Sequence, residues 1–321
     1  MSRLIFILVV TAGSVILGYG IRVAIMRLFG AAPDALHDIS KRGKQFAFLL
    51  LFPFSICISF WKLAPPHGPL LMLPVLGAAG TIAGAFAAWL MIRIFGTPPR
   101  QAGSLFVCGM SSNFGILGGF VCFVLLGDDG FYASQLFNAF VPIMFFAFGF
   151  PLSGMIGRGQ RGFPRLDSSL LKDFASAAVP LGAMVLGTLL STLDLPVPTI
   201  AMRLSDFAIP ATSGILGLAI GATLYLSSIH RYFQEIGLVL VVKMLAIPLV
   251  VVPLAMVSGL DSVMGGVPMT AAVLLSFMPV AFVATIPPAI YGFDLDLANA
   301  CWLVSTAVFV VLFPVATWVV P

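Results

Sequence analysis

Ten long apolar runs follow one another along this chain, and no soluble fold accommodates such a pattern. They lie near residues 4–27, 45–61, 69–95, 102–126, 131–156, 174–193, 205–228, 232–257, 268–291 and 296–320. Each approaches the roughly 20 apolar residues that carry a helix across a bilayer. Strands of a membrane barrel would show short alternating segments instead. Of 321 residues 60% are hydrophobic and 9% charged, so the chain lacks the polar side chains for a water-facing shell. This excludes a soluble enzyme, a nucleic-acid-binding protein and a disordered chain. The reading is an all-α integral membrane protein with about ten transmembrane helices, and its first general partner is the lipid bilayer. The first run has no small-residue cleavage pattern after Gly18 and is read as a retained span.

The basic residues set an orientation. With ten alternating spans, one face collects Arg22, Arg27, Lys41, Arg42, Lys44, Arg93, Arg100, Arg158, Arg161, Arg165, Lys172 and Arg231. The other collects only Arg3, Lys62 and Arg203. Cytoplasmic loops carry the excess of lysine and arginine. The rule puts the first face inside and both termini outside a bacterial-type inner membrane. The longest polar stretch begins at Arg158 and divides the chain into a first repeat, 1–156, a cytoplasmic linker, 157–173, and a second repeat, 174–321. Five spans is an odd number, so two halves of one fold must be inverted relative to each other. At a spacing of 165, Gly127 matches Gly292, Asp129 matches Asp294 and Ala133 matches Ala298. Inverted repeats are a common plan of secondary transporters.

The chemistry for catalysis is missing. All acidic residues fall in loops or near span ends, and His37, His67 and His230 lie far apart in loops. No HExxH, GxSxG or phosphate-binding loop occurs. Cys57, Cys108, Cys122 and Cys301 lie in apolar runs without metal-ligand spacing and read as small hydrophobes. The chain is therefore expected to be neither an enzyme nor a cofactor protein.

Four features point to a transport site instead. In the fourth run, Gly109-Met-Ser-Ser-Asn-Phe-Gly-Ile-Leu-Gly-Gly119 combines glycines with polar side chains. It predicts a helix broken near Ser111–Gly115, with Ser111, Ser112 and Asn113 facing a binding site, since freed backbone groups need a protein- or water-lined cavity. Close packing through Gly115-x-x-x-Gly119 explains the same residues more plainly. In the ninth run, Met278, Pro279 and Pro287-Pro288 predict an interruption over Met278–Ala281, against the alternative of a simple proline kink. The two interruptions occupy the same place in the two halves, and the stretches are expected to approach each other. In the eighth run, Lys243 is a lone ammonium among apolar residues. It costs about 2.5–3.5 kcal/mol at mid-membrane and lies too deep to snorkel easily. Its charge needs carbonyl ends of broken helices, Asn113 and Asn138, or a substrate carboxylate. In the fifth run, Ser134, Gln135 and Asn138 are polar. Ser112, Asn113, Ser134 and Asn138 are weak candidates for a sodium site, with interhelical hydrogen bonding as the plainer account. No other metal site is expected.

Taken in order, several segments carry a resemblance. These are Ser112-Asn113-Phe-Gly-Ile-Leu-Gly118, Leu126-Gly-Asp-Asp-Gly130, and Phe207-Ala-Ile-Pro210 with Leu216-Gly217 and Ile220-Gly221. Lys243-Met-Leu-Ala-Ile-Pro248 and Met278-Pro279-Val-Ala follow, then Tyr291-Gly-Phe-Asp294 and Ser305-Thr306. Over nearly its whole length the chain resembles the auxin efflux carrier family. The resemblance implies two inverted five-helix repeats, with spans 1, 2, 6 and 7 as scaffold and spans 3–5 and 8–10 as transport domain. It implies that broken spans 4 and 9 cross, that the site comprises Ser111, Ser112, Asn113, Gly115, Asn138, Lys243, Met278 and Pro279, and that the cargo is a small organic anion, a mono- or dicarboxylate. A sodium-coupled symporter of the same fold is the alternative, as is a non-transporting sensor or channel. Two departures stand out. No proline follows Ser112-Asn113, and no acidic or glutamine side chain lies near Pro279, which counts against sodium coupling. A homodimer is left open.

Overall fold

The computed structural model describes residues 2–30, 34–159, 168–222 and 229–319. Among these every regular element is helical, and the chain is a multi-pass membrane protein by its helices. In chain order they are α1 (Arg3–Phe29), α2 (Asp38–Lys62, preceded by helical turns from Asp34), α3 (Gly68–Phe95), α4 (Pro99–Met110), α5 (Leu117–Arg158), α6 (Ser168–Thr192), α7 (Thr199–Gly221), α8 (Ile229–Met256), α9 (Val267–Ser276), α10 (Phe282–Tyr291) and α11 (Leu295–Val319). Seven are long and apolar enough to span a bilayer: α1, α2, α3, α5, α7, α8 and the Leu295–Leu312 part of α11.

Several boundaries differ from those read off the sequence. Helix starts at Asp34, well ahead of the expected 45, because polar residues extend a helix beyond an apolar run as readily as they end it. The expected loop between the fourth and fifth runs is a kink inside α5 at Gly127, whose φ of 72° is open to glycine at little cost. The fourth and ninth runs are each split, into α4 with the start of α5 and into α9 with α10. The centre of the expected linker, with Arg161, Arg165 and Asp167, lies outside the described residues. So do the expected ends of the seventh and tenth runs, 223–228 and 320.

Proline shapes the long helices. Pro53, Pro151 and Pro248 each stand two residues beyond a π-turn, at Ala47–Leu51, Phe145–Gly149 and Val242–Ala246. A proline ring clashes with the carbonyl four residues back, and that residue lies inside the widened turn each time. Lys243 is thus carried on a π-turn, a distortion frequent at functional sites.

The chain forms two compact units. Unit 1 comprises Met1–Pro66, Gly119–Tyr132 and Val179–Leu224. Unit 2 comprises His67–Gly118, Ala133–Ala178 and Tyr225–Pro321. Each draws on both halves of the sequence. In unit 1, α1 and α7 pack backbone to backbone: a Cβ on Gly18 would lie 2.2 Å from the Leu218 carbonyl oxygen, and one on Gly221 would lie 2.1 Å from that of Val15. Such contacts let membrane helices gain dispersion energy where no hydrophobic force separates them from lipid. In unit 2, α3 packs on α4 the same way, through Gly84 and Ala88 against Gly109.

Candidate functional site

The site lies within unit 2, where α4 and α9 both stop. After Met110 the chain leaves the helix at Ser111, which is extended at φ −91° and ψ 113°, and helix resumes at Leu117. After Ser276 it leaves at Phe277 and winds again from Phe282. The two gaps cover the stretches where the sequence predicts lost helical bonding. They pair with each other as a short antiparallel bridge between Ser112 and Val280. Asn113 N donates to Pro279 O at 2.9 Å, and Ala281 N donates to Ser111 O at 3.0 Å. Backbone groups freed in each helix thus satisfy those freed in the other, as burial demands.

The surrounding polar groups complete this accounting. Asn113 Oδ1 accepts from Leu117 N at 3.2 Å and Asn113 O from Gly118 N at 2.9 Å, so Asn113 caps the restarted helix. Gln135 Nε2 donates to Gly115 O at 2.9 Å and to Ser134 Oγ at 3.1 Å. Val280 N donates to Ser305 Oγ at 3.1 Å, anchoring the second gap to α11. Met278 and Val280 are fully buried, and the Leu275 side chain packs where a Cβ on Gly118 would stand, with Met278 in contact beside it. Asn138 is half-buried at the end of the helical segment Leu117–Asn138.

Lys243 is fully buried. Its ammonium donates to Gly109 O at 2.8 Å, to Ser111 O at 2.9 Å and to Ser112 Oγ at 2.9 Å. A lysine ammonium has three hydrogens, so each has an acceptor. Carbonyls at the C-terminal end of a helix lack intrahelical partners and carry partial negative charge. The end of α4 therefore supplies the compensation a buried ammonium requires. Of the candidates named from sequence, the carbonyls of the broken helix hold Lys243. Asn113 is spent on its cap.

Three of the four weak sodium-site candidates, all but Asn138, have hydrogen-bond partners. Ser112 Oγ accepts from Lys243, Asn113 Oδ1 from Leu117 N and Ser134 Oγ from Gln135. No cluster of metal-ligating His, Cys, Asp or Glu occurs among the described residues. Ser111 Oγ, in contrast, is buried at the crossing with no hydrogen-bond partner.

Several participants were not singled out from sequence. The carbonyl of Gly109 is brought to Lys243 by the close approach of α3, since a Cβ on Gly84 would lie 2.4 Å from that oxygen. Gly80, Gly84 and Ala88 follow at i, i+4 and i+8 in the third run, and this stripe of small residues is the signal that marks the contact. The buried thiols of Cys108 and Cys301 lie near each other and near the ammonium. No spacing in the sequence announces that pair.

The ends of the crossing segments are also tied. Arg100 Nε and Nη2 donate to Gly292 O at 3.1 and 2.8 Å, and Ser104 Oγ donates to Asp294 O at 2.8 Å. The start of α4 thereby meets the end of α10. Asp294 accepts from Tyr232 OH at 3.0 Å and from Leu297 N at 3.0 Å, capping α11. The two interrupted segments run in opposite directions along their shared length. Compared with known proteins, the chain matches no family model and no curated protein.

Proposed function

We propose that the chain is a secondary carrier for small organic anions, mono- or dicarboxylates, of the auxin efflux carrier type. In this reading ten spans form two inverted repeats in a bacterial-type inner membrane, with both termini outside. The substrate binds where the fourth and ninth spans cross. The carrying observation is the antiparallel pairing of two interrupted segments around the fully buried ammonium of Lys243. Broken helices at matching places in two halves are the usual construction of a carrier's site.

Three further observations support it. Gly127 and Gly292, matched by the internal repeat, both take positive φ, 72° and 69°. Unit 1 collects the first and second runs and most of the sixth and seventh, and unit 2 the third, eighth, ninth and tenth, as a scaffold and a moving domain would; the fourth and fifth runs are divided, with Gly119–Tyr132 in unit 1. The orphaned Ser111 hydroxyl gives an incoming carboxylate a hydrogen-bond donor next to the ammonium.

Lys243 acts in this account as a fixed cation. It holds the crossing closed and gives it positive potential, in the place a metal cation fills in a sodium-coupled carrier. Its hydrogens are engaged, so the anion feels its field first and takes a hydrogen from it only by displacing one of these acceptors. The sodium-coupled alternative is less well served, because Ser112 already faces an ammonium.

The test is a stabilisation screen of the purified chain against mono- and dicarboxylic acids. A ligand that binds the native state raises the melting midpoint by mass action. The expected result is saturable stabilisation by one class of carboxylate, absent in Lys243→Met. No stabilisation by any acid, or equal stabilisation of the variant, would contradict the reading.

A further inference from the structure

A second polar cluster lies in unit 1, at the end of α2, and the crossing does not use it. Lys62, at the last turn of α2, makes an ion pair with Asp128 Oδ2, beside the kink of α5. Asp206, on the second turn of α7, lies close enough to be repelled by Asp128 and attracted by Lys62. Two carboxylates thus face one ammonium, leaving one negative charge.

Between them the helices leave a small, partly open pocket of about 10 Å³, lined by Ile58, Ser59, Ser205 and Ile209 as well as the three charged residues. That is close to the least space, about 10–15 Å³, in which one water-sized guest fits. Ser59 is only 6% exposed, and its Oγ has no hydrogen-bond partner. A hydroxyl buried in that state costs about 1–3 kcal/mol, so an orphan lining a pocket beside two carboxylates marks a missing partner. Ser205, 5% exposed, lines the same space. Asp206 is exposed, and Lys62 and Asp128 are 38% and 35% exposed, which leaves ions a route in from solvent.

We propose that Ser59, Ser205, Asp128 and Asp206 bind one small monovalent cation beside Lys62. Carboxylate and hydroxyl oxygens are hard donors, suited to hard cations. The charge selects the valence: one positive charge neutralises the cluster, whereas a divalent ion leaves it positive next to an ammonium. The volume selects the size. Sodium fits with room for the oxygens to close in, while potassium, nearly as large as water, fills the space. The assignment is of binding, and it stands or falls separately from the carrier reading.

The test uses the full chain in detergent, with its melting midpoint followed as sodium chloride replaces choline chloride at constant ionic strength. Lithium and potassium chloride run in parallel, and radioactive sodium binding is measured directly. Sodium should stabilise the chain saturably and more strongly than potassium, with about one ion bound per chain. Asp206→Asn should abolish saturation, and Ser59→Ala should raise the half-saturating concentration about tenfold or more. Asp206→Glu, which keeps the charge, should restore a saturable response. Equal stabilisation by choline, or variants that saturate like the parent, would reduce the effect to charge screening and overturn the site. If Asp206→Asn does not fold, direct binding to the parent and Ser59→Ala decide, and no bound sodium on the parent overturns the site.

Discussion

Adding one methyl group at Gly84 should break the support of Lys243 without touching the lysine. A Cβ at Gly84 would stand 2.4 Å from the Gly109 carbonyl oxygen, where ordinary contact begins near 3.4 Å. Either α3 or the end of α4 must yield by about 1 Å. Overpacking of this kind costs ~1–3 kcal/mol. A shift of the end of α4 pulls Gly109 O away from the ammonium it now meets at 2.8 Å. A hydrogen bond to a charged group contributes ~1.5–3 kcal/mol. Together the two effects predict a loss of roughly 2.5–6 kcal/mol for Gly84→Ala. At roughly 2 °C per kcal/mol for a chain of this size, the melting midpoint should fall by at least about 5 °C. Gly20→Ala is the control, because nothing lies within 4 Å of its added methyl; alanine there should leave stability level or slightly raised. A double-mutant cycle separates packing from the ammonium. In Lys243→Met the hydrogen bond is already gone, so Gly84→Ala should cost less there by ~1.5–3 kcal/mol. Equal costs in the two backgrounds, or Gly84→Ala as stable as Gly20→Ala, would refute the reasoning.

Asp294→Ala removes the cap of α11 and the acceptor of Tyr232, and should lower stability by ~0.5–2 kcal/mol with Tyr232→Phe adding little on top. Gln135→Leu leaves the Gly115 carbonyl at the crossing without its donor and should cost ~1–3 kcal/mol, checked by thermal melting beside Gln135→Glu. The charge asymmetry predicts that a cysteine replacing Ser168 on a cysteine-free background stays unlabelled by an impermeant reagent in intact cells; labelling there would reverse the topology.

What was legible in the sequence follows from how few ways a bilayer leaves a chain to fold. Apolar runs of span length have to be helices, so the helical class was readable from composition and run length. The interruptions at Ser111–Gly115 and Met278–Ala281 were readable because glycine, proline and polar side chains coincide there, each weakening the helix for its own reason. Lys243 stood out because its cost is large. That broken-helix carbonyls could hold it was readable too, but not which ones, since that depends on how α3, α4 and α8 approach. In sequence the kink at Gly127 is indistinguishable from a loop, because a positive-φ glycine serves both. Polar residues from Asp34 to Lys44 suggest a loop in a membrane protein, although nothing in Leu36-His-Asp-Ile-Ser-Lys-Arg breaks a helix. The orphaned hydroxyls of Ser59 and Ser111 were beyond reach altogether, since a missing partner is a property of the packed structure alone.

The central claim is that the crossing around Lys243 moves an organic anion. The most direct measurement is uptake of the carboxylate chosen by the stabilisation screen into proteoliposomes carrying the parent chain, Lys243→Met or Lys243→Arg at matched protein content. The account predicts saturable uptake by the parent, none by Lys243→Met, and poor rescue by Lys243→Arg, whose planar fork does not reproduce three donors at one point. Uptake by Lys243→Met at the parent's rate would contradict it and leave the lysine a packing residue.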